Sequence, residues 1–416
     1  MESYVINGGR RLNGKIKSQT AKNSVLPILA ASILTDEEVV IMSCPKIQDV
    51  LNMVKILNAL GVNTEFQNEN LIINGSGINT YSVPSILAKE LRSSIFMLGS
   101  LIARMRKAVI PYPGGCNIGT RPFDLHISAL FEMGVNITDV GNKLVCRADR
   151  LRGKELYLDF PSVGATENLM IAGVLAEGKT EIHNAAKEPE IVDLMNFLNS
   201  MGAKVYGAGT STIFIEGVKH LHGTCYKPIF DRIEIGTFLI ATAICGGEVE
   251  IVGCDIKNIS ALVHKLCDNT CKITTKDDIM YIKSRGSGKS FSIDTGPHPS
   301  FPTDLQSQMM SLATVADGTS AITENVFESR YQLVPDLISM GADITVKGRT
   351  AIINGVKKLH GSKMCAKDLR GGAALVIAAL GAEGVSNVYN IRHIDRGYLD
   401  FDKKLQMLGA DVKRYT

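Results

Sequence analysis

The sequence predicts an α/β fold assembled from six copies of one strand-rich unit, each contributing an apolar helix to an interior. Two recurring patterns carry this prediction. The first is an apolar stripe, then Leu or Met, a Gly, a small residue and a β-branched one. It reads LNALGVNTEF, ALFEMGVNIT, FLNSMGAKVY, HKLCDNTCKI, LISMGADITV and LQMLGADVKR, pivoting on Gly61, Gly134, Gly202, Thr270, Gly341 and Gly409. The pivots recur about every 70 residues, the kind of fixed period that marks a repeat architecture. The second pattern is a set of strongly apolar segments: SVLPILAASIL, SIFMLGSLIAR, NLMIAGVLAEG, GTFLIATAIC, SQMMSLATVADG and GGAALVIAALGAEG. A helix apolar on most faces belongs in an interior. Solenoid helices keep a solvated face, so six such helices favour clustering over linear stacking.

Each element of the unit has a local reason. After the apolar helix come LAEGKTEIHN, VADGTSAITEN, GAEGVSNVYN and CGGEVEIVGC, each a helix end, a Gly turn and an alternating strand. The amphipathic stripe that follows reads as a second helix, ended by a Gly in the left-handed C′ conformation before the next strand. Thr270 breaks the rule and implies a different cap in the fourth unit.

Composition narrows the function. At about 150 residues per domain, 416 residues suggest two to three domains. The net charge of +3 supplies no electrostatic case for nucleic acid or an anionic membrane. No apolar run reaches the ~18 residues of a membrane span, and MESYVINGGRRLNGK lacks a signal-peptide core. Nine cysteines at irregular spacing fit reduced thiols of a cytoplasmic protein and form no zinc pattern. The expectation is a cytoplasmic protein with neither cofactor nor metal.

Candidate chemistry sits at the starts of the apolar helices. These open with Lys22-Asn23, Arg92-Ser93-Ser94, Thr166-Glu167-Asn168, Glu234, Asp304-Leu305-Gln306 and Asp368-Leu369-Arg370. Acids, Thr and Asn suit the positive end of the helix dipole as caps. Lys22, Arg92 and Arg370 have the opposite sign. They point either to an anion bound at these ends or to ordinary pairing with neighbouring acids. In PYPGGCNIGTRPFDLH, Gly114, Gly115 and Gly119 allow close backbone approach to a ligand. Cys116 lies in this loop with Arg121 nearby, the setting of a reactive thiol rather than a buried structural one. Asp124 and Asp304 each read equally as helix-start residues. The histidines, His126 included, form no pattern and read as packed or solvated.

Taken together, AKNSVLPILAASIL, LRSSI, PGGCNIGTRPFDLH, SVGATENLM, AAKEPEIVDL, DRIEIGTFL, FPTDLQSQ, ENVFESRY, DLRGGAALV and HIDRGY, in that order from Lys22 to Arg396, resemble the enolpyruvyl transferases. The resemblance implies a two-domain inverted α/β barrel of six βαβαββ repeats, three per domain. One domain would be 22–229 with the Cys loop, the other 1–21 with 230–416, and the active site would lie in the cleft between them. It also implies transfer of the enolpyruvyl group of phosphoenolpyruvate to the 3-hydroxyl of UDP-N-acetylglucosamine with release of phosphate, by addition and elimination. That reaction is the first committed step of peptidoglycan synthesis.

By the same resemblance, Cys116, Asp304, Lys22 and Arg396 are the catalytic residues. Cys116 would protonate the terminal methylene, and is where fosfomycin alkylates family members; Asp304 would take the sugar hydroxyl proton. Lys22, Asn23, Arg121, Arg370 and Arg396 would hold phosphoenolpyruvate. Asn23, Arg92, Arg121, Pro122, Phe123, Asp124, Leu125, Ser162, Val163, Gly164, Asp304, Val326 and Arg330 would hold the sugar nucleotide. The chain departs from the family pattern at Gln19-Thr20, where Ser-Gly is usual, at Phe160, where some members carry Lys, and at Gly371-Gly372, where Ala-Gly is common. The sister activity on shikimate 3-phosphate is disfavoured by Ala21-Lys22-Asn23 and by the Gly-Gly-Cys loop. A non-catalytic phospholigand-binding scaffold is disfavoured by the joint presence of Lys22, Cys116, Asp304 and Arg396. If Asp304 is catalytic, its loss is expected to reduce turnover far more than folding stability.

Overall fold

The computed structural model describes residues 2–112, 114, 123–269, 271–286 and 288–416. Cys116, Arg121, Pro122 and Thr270 lie outside them. The chain divides into two compact units, one formed by the residues through Gln19 with Phe230–Thr416, the other by those between Thr20 and Ile229.

Each unit has three inner helices packed on one another: Lys22–Ala31, Phe96–Met105 and Val163–Gly173 in one, Arg232–Cys245, Gln306–Ala313 and Leu369–Gly381 in the other. These are the six apolar segments. They are buried around their whole circumference, as in Leu369–Gly381, where every residue from Leu369 to Leu380 is buried. Close approach depends on small residues: a Cβ at Gly99 would meet the Asn168 backbone and side-chain oxygens at 2.6 Å. Three sheets belong to each unit, five of the six four-stranded among the described residues. Their strands alternate buried and exposed residues, as a half-buried sheet requires.

The order βαβαββ repeats around these trios. In three repeats the strand before the inner helix pairs in parallel with the strand after it: Glu155–Tyr157 with Lys179–His183, Ser292–Asp294 with Thr319–Thr323, and Lys363–Cys365 with Val385–Tyr389. A Ser82–Val109 bridge keeps the same relation in a fourth. In the remaining two the partners are exchanged. Leu12–Lys17 runs parallel to Gly247–Val252, and Thr224–Tyr226 to Glu38–Ile41. The chain passes from one unit to the other immediately after each exchanged strand. Ser3–Asn7 then completes the last sheet, between Val385–Tyr389 and Asp411–Tyr415.

The amphipathic helices end as their glycines require. Gly61, Gly134, Gly202, Gly341 and Gly409 have φ of 93°, 94°, 92°, 95° and 86°. Around each, the next N–H reaches five residues back, as in Val62 to Leu57 at 3.1 Å and Ala410 to Leu405 at 3.0 Å. The fourth unit keeps this bond, Cys271 N–H to Leu266 at 3.0 Å.

Two inner helices begin earlier than their polar residues suggested. Ser162 caps one by accepting from Ala165 N–H at 3.3 Å, and Asp231 caps another by accepting from Ile233 and Glu234 N–H at 2.9 and 3.0 Å. Thr166, Glu167, Asn168 and Glu234 are therefore buried helix residues rather than caps. Asp368 caps as expected, accepting from Arg370 and Gly371 N–H, both at 2.9 Å. No helix among the described residues is long and apolar enough to cross a membrane.

Gly61→Ala is expected to lower unfolding free energy by more than ~1 kcal/mol, because a Cβ adds left-handed strain and meets Gly77 O at 2.5 Å. Gly348→Ala, with φ of 58° and nothing within 4 Å of the added Cβ, should cost less. Urea unfolding of both variants checks the difference.

Candidate active site

In the unit from Thr20 to Ile229, Lys22 is the first residue of its inner helix, and Ala21 before it supplies no side-chain cap. A cation at this end opposes the helix dipole. Buried Asp49, in the first turn of Gln48–Ala59, compensates it: Lys22 Nζ lies 2.9 Å from Asp49 Oδ2, with side-chain exposures of 12% and 2%. Ordinary pairing with an acid thus holds at Lys22. Asn23 follows it, half-buried, in the same first turn.

Arg92 begins a 3-10 turn, Arg92–Ile95, rather than the α-helix itself. Its guanidinium stands 5.0 Å from the Phe123 ring centroid, and Phe123 meets buried His126 edge-on at 6.1 Å. Asn168 joins these parts. Its Oδ1 accepts from Gly99 N–H at 2.8 Å, and its Nδ2 donates to Ile95 O at 3.0 Å and lies 2.9 Å from His126 Nδ1. Burial, then the Arg92 charge, pushes His126 down to about 4. The ring is therefore neutral at pH 7 and accepts at Nδ1. Gly164 faces this ring, and Ser162, Val163 and Gly164 stay half-exposed at the start of their helix. Asp124 is exposed and makes no cap bond, so it acts on the dipole of Asp124–Glu132 rather than as a cap. Leu125 is half-buried beside it. Phe160 is exposed and accepts from Ser162 N–H at 2.7 Å. Glu167, fully buried, is held well above the usual carboxylate range by burial, then by Glu190 and Glu188.

The other unit contains a tighter constellation. Asp304, in the 3-10 turn Thr303–Leu305, uses both carboxylate oxygens on guanidinium groups. Oδ1 accepts from Arg330 Nη2, and Oδ2 accepts from Arg370 Nη2 at 3.1 Å. Both arginines are almost fully buried, whereas Asp304 retains 25% side-chain exposure. Arg370 also lies 5.6 Å from the Tyr398 ring centroid. Burial opposes the Arg370 charge, but Asp304 and Tyr398 raise its pKa overall. Two hydrogen-bonding atoms in this cluster, Arg330 Nε and Arg370 Nη1, are buried without a hydrogen-bond partner.

Val326 N–H is committed to Glu324 Oε1 at 2.8 Å, and the Arg330 guanidinium stands 5.2 Å from the adjacent Phe327 ring. Arg396 follows the short helix Arg392–Asp395. It helps to push His393 down, behind the effects of burial and Arg392.

The described cysteines include several inert ones. Burial pushes the thiols of Cys44, Cys146, Cys245 and Cys254 up to about 12, and Cys271 to about 11.

Lys22, Arg92 and Arg370 share a repeat position that the sequence displays, but their partners leave no mark in it. Asp49 stands on the amphipathic helix Gln48–Ala59, and nothing local marks it as the counterion of a residue 27 positions earlier. Asn168 looked like a cap, whereas burial makes it a junction.

Against known proteins, residues 6–405 match the family model described as EPSP synthase (3-phosphoshikimate 1-carboxyvinyltransferase). The chain is 49% identical to UDP-N-acetylglucosamine 1-carboxyvinyltransferase 2 of Caldanaerobacter subterraneus and 46% identical to the protein of that name from Clostridium tetani; each comparison covers 100% of both chains. The chain belongs to the enolpyruvyl (carboxyvinyl) transferase family. Among solved structures it resembles the enolpyruvyl transferase NikO of Streptomyces tendae, with TM-score 0.90, 23% identity, and coverage of 100% of this chain and 99% of that one. It also resembles EPSP synthase of Acinetobacter baumannii, with TM-score 0.79, 18% identity and both chains fully covered. At these identities the two structures establish the shared two-domain inverted α/β fold alone.

The arrangement corrects one expectation. Because Asp304 is the shared counterion of two buried arginines, Asp304→Ala is expected to cost ~3 kcal/mol of stability as well as turnover. Asp304→Asn, which keeps the shape and one acceptor, should lose turnover with a smaller fall in melting temperature. Thermal melts beside steady-state rates check both; a melt for Asp304→Ala equal to that of the parent chain contradicts the counterion role.

Proposed function

We propose that the chain transfers the enolpyruvyl group of phosphoenolpyruvate to the 3-hydroxyl of UDP-N-acetylglucosamine, releasing inorganic phosphate. The observation that carries the reading is full-length identity of up to 49% with proteins named for this acceptor. The geometry supports it in one respect. Phosphoenolpyruvate brings a carboxylate and a phosphate, and Arg370 holds a buried, unspent N–H beside Asp304. Such preorganised cations bind an acidic donor without any metal.

In this reading Lys22, Asn23, Arg121, Arg370 and Arg396 hold phosphoenolpyruvate. The sugar nucleotide is held by Asn23, Arg92, the Arg121–Leu125 stretch, Ser162, Val163, Gly164, Asp304, Val326 and Arg330. Asp304 takes the proton from the 3-hydroxyl as that oxygen bonds to C2 of the donor, and Cys116 delivers a proton to C3. Elimination returns a C3 proton to the protein and breaks the C2–phosphate oxygen bond, which restores the methylene and frees phosphate. The residues assigned come from both units of the chain.

The test is phosphate release from phosphoenolpyruvate with each of two acceptors. Release with UDP-N-acetylglucosamine and none with shikimate 3-phosphate is expected. Release only with shikimate 3-phosphate would transfer the chain to the sister activity, and release with neither would leave a binding protein.

A further inference from the structure

We propose that Gln19 is a positioning residue for Arg396. This rests on the reading above, in which Arg396 holds phosphoenolpyruvate. Gln19 is one of the places where the chain departs from the family pattern, and its side chain is fully used. Oε1 accepts from Leu399 N–H at 2.8 Å, and Nε2 donates to Gly397 O at 2.8 Å. A single planar amide thus clamps the backbone directly after Arg396 at two points, one donor and one acceptor. The remaining Nε2 hydrogen faces Asp231 Oδ2 at 3.5 Å.

The clamp is itself fixed. Gln19 N–H donates to Glu234 Oε2 at 2.8 Å, and Gln19 O accepts from Asp231 N–H at 2.9 Å. Buried Glu234 is held in turn by Ser18 Oγ at 2.9 Å and by Lys404. With 7% exposure, Gln19 has little room to adopt another rotamer. Its backbone is thus tied to the cap of Arg232–Cys245, its side chain to the Gly397–Leu399 turn, and the chain reaches Lys22 three residues later.

The chemistry of the position is restrictive. Serine is too short to bridge both backbone groups. Glutamate matches the length but has no N–H for Gly397 O and sets a second carboxylate against Asp231. Displacement of the turn by a fraction of an ångström would move the Arg396 guanidinium off the donor anion, where alignment governs rate and binding.

The test uses full-length Gln19→Ser, Gln19→Glu and Arg396→Gln variants, with KM for each substrate, kcat and thermal melts. Gln19→Ser is expected to raise the phosphoenolpyruvate KM by about fivefold or more, as loss of a charged contact's alignment would, with the sugar-nucleotide KM within about twofold of the parent. Gln19→Glu should be at least as impaired, and Gln19→Ser should add nothing further in the Arg396→Gln background. If Gln19→Ser fails to fold, the near-isosteric Gln19→Glu carries the measurement. A lower melt with both KM values unchanged, or equal rises in both, overturns the proposal. An Arg396→Gln variant with parental phosphoenolpyruvate KM overturns the underlying assignment of Arg396 instead, and the proposal with it.

Discussion

One carboxylate shared by two buried guanidinium groups is the constraint around which this half of the chemistry is arranged. Burying a cation is expensive unless it is paired and hydrogen-bonded, yet Arg330 and Arg370 divide Asp304 between them. The sharing leaves an N–H of each arginine unspent. It also keeps the carboxylate pointed, so one acid and two cations reach one place with fixed geometry. In the other unit Lys22 is paired with the buried carboxylate of Asp49. Both arrangements put strong charge where a helix start has backbone N–H groups to offer, the local preference for anions that phosphate sites exploit.

The repeat explains why these groups recur at equivalent places. Apart from Gln306–Ala313 the inner helices are apolar for most of their length, so their charged groups gather near the helix ends. Lys22, Ser162 and Arg370 all stand at helix starts, and Asp304 lies just before one. Deeper polar residues become junctions between helices instead. Asn168 links two inner helices and orients a neutral His126; Glu234 receives Ser18, the Gln19 backbone and Lys404. The exchanged parallel strands place the chain's first nineteen residues in the later unit, which is why Gln19 meets residues 397–399.

What the sequence made legible follows from local stereochemistry. The pivot glycines could be read because a C′ position near φ of 90° excludes nearly every other residue, and all five adopt it. The inner helices could be read because uniform apolarity leaves no solvated face. Their starts could not: Glu167, Asn168 and Glu234 have the composition of caps, and only tertiary burial shows that Ser162 and Asp231 do the capping. The counterions were illegible for a related reason. Asp49 for Lys22, and Arg330 for Asp304, are chosen by packing across elements and leave no spacing to detect. The site roles of Cys116, Arg121 and Pro122 rest on motif alone, since they lie outside the described residues.

The sharing of Asp304 is tested most sharply by the phosphoenolpyruvate KM of Arg370→Lys, with the sugar-nucleotide KM taken on the same protein. Lysine keeps the charge but loses the forked geometry that both serves Asp304 and leaves a spare N–H. The phosphoenolpyruvate KM is expected to rise by about tenfold or more, as for loss of one charged hydrogen bond, with a smaller change for the sugar nucleotide. An unchanged phosphoenolpyruvate KM would mean that the unspent N–H of Arg370 meets no part of the donor and that the shared carboxylate does not organise donor binding.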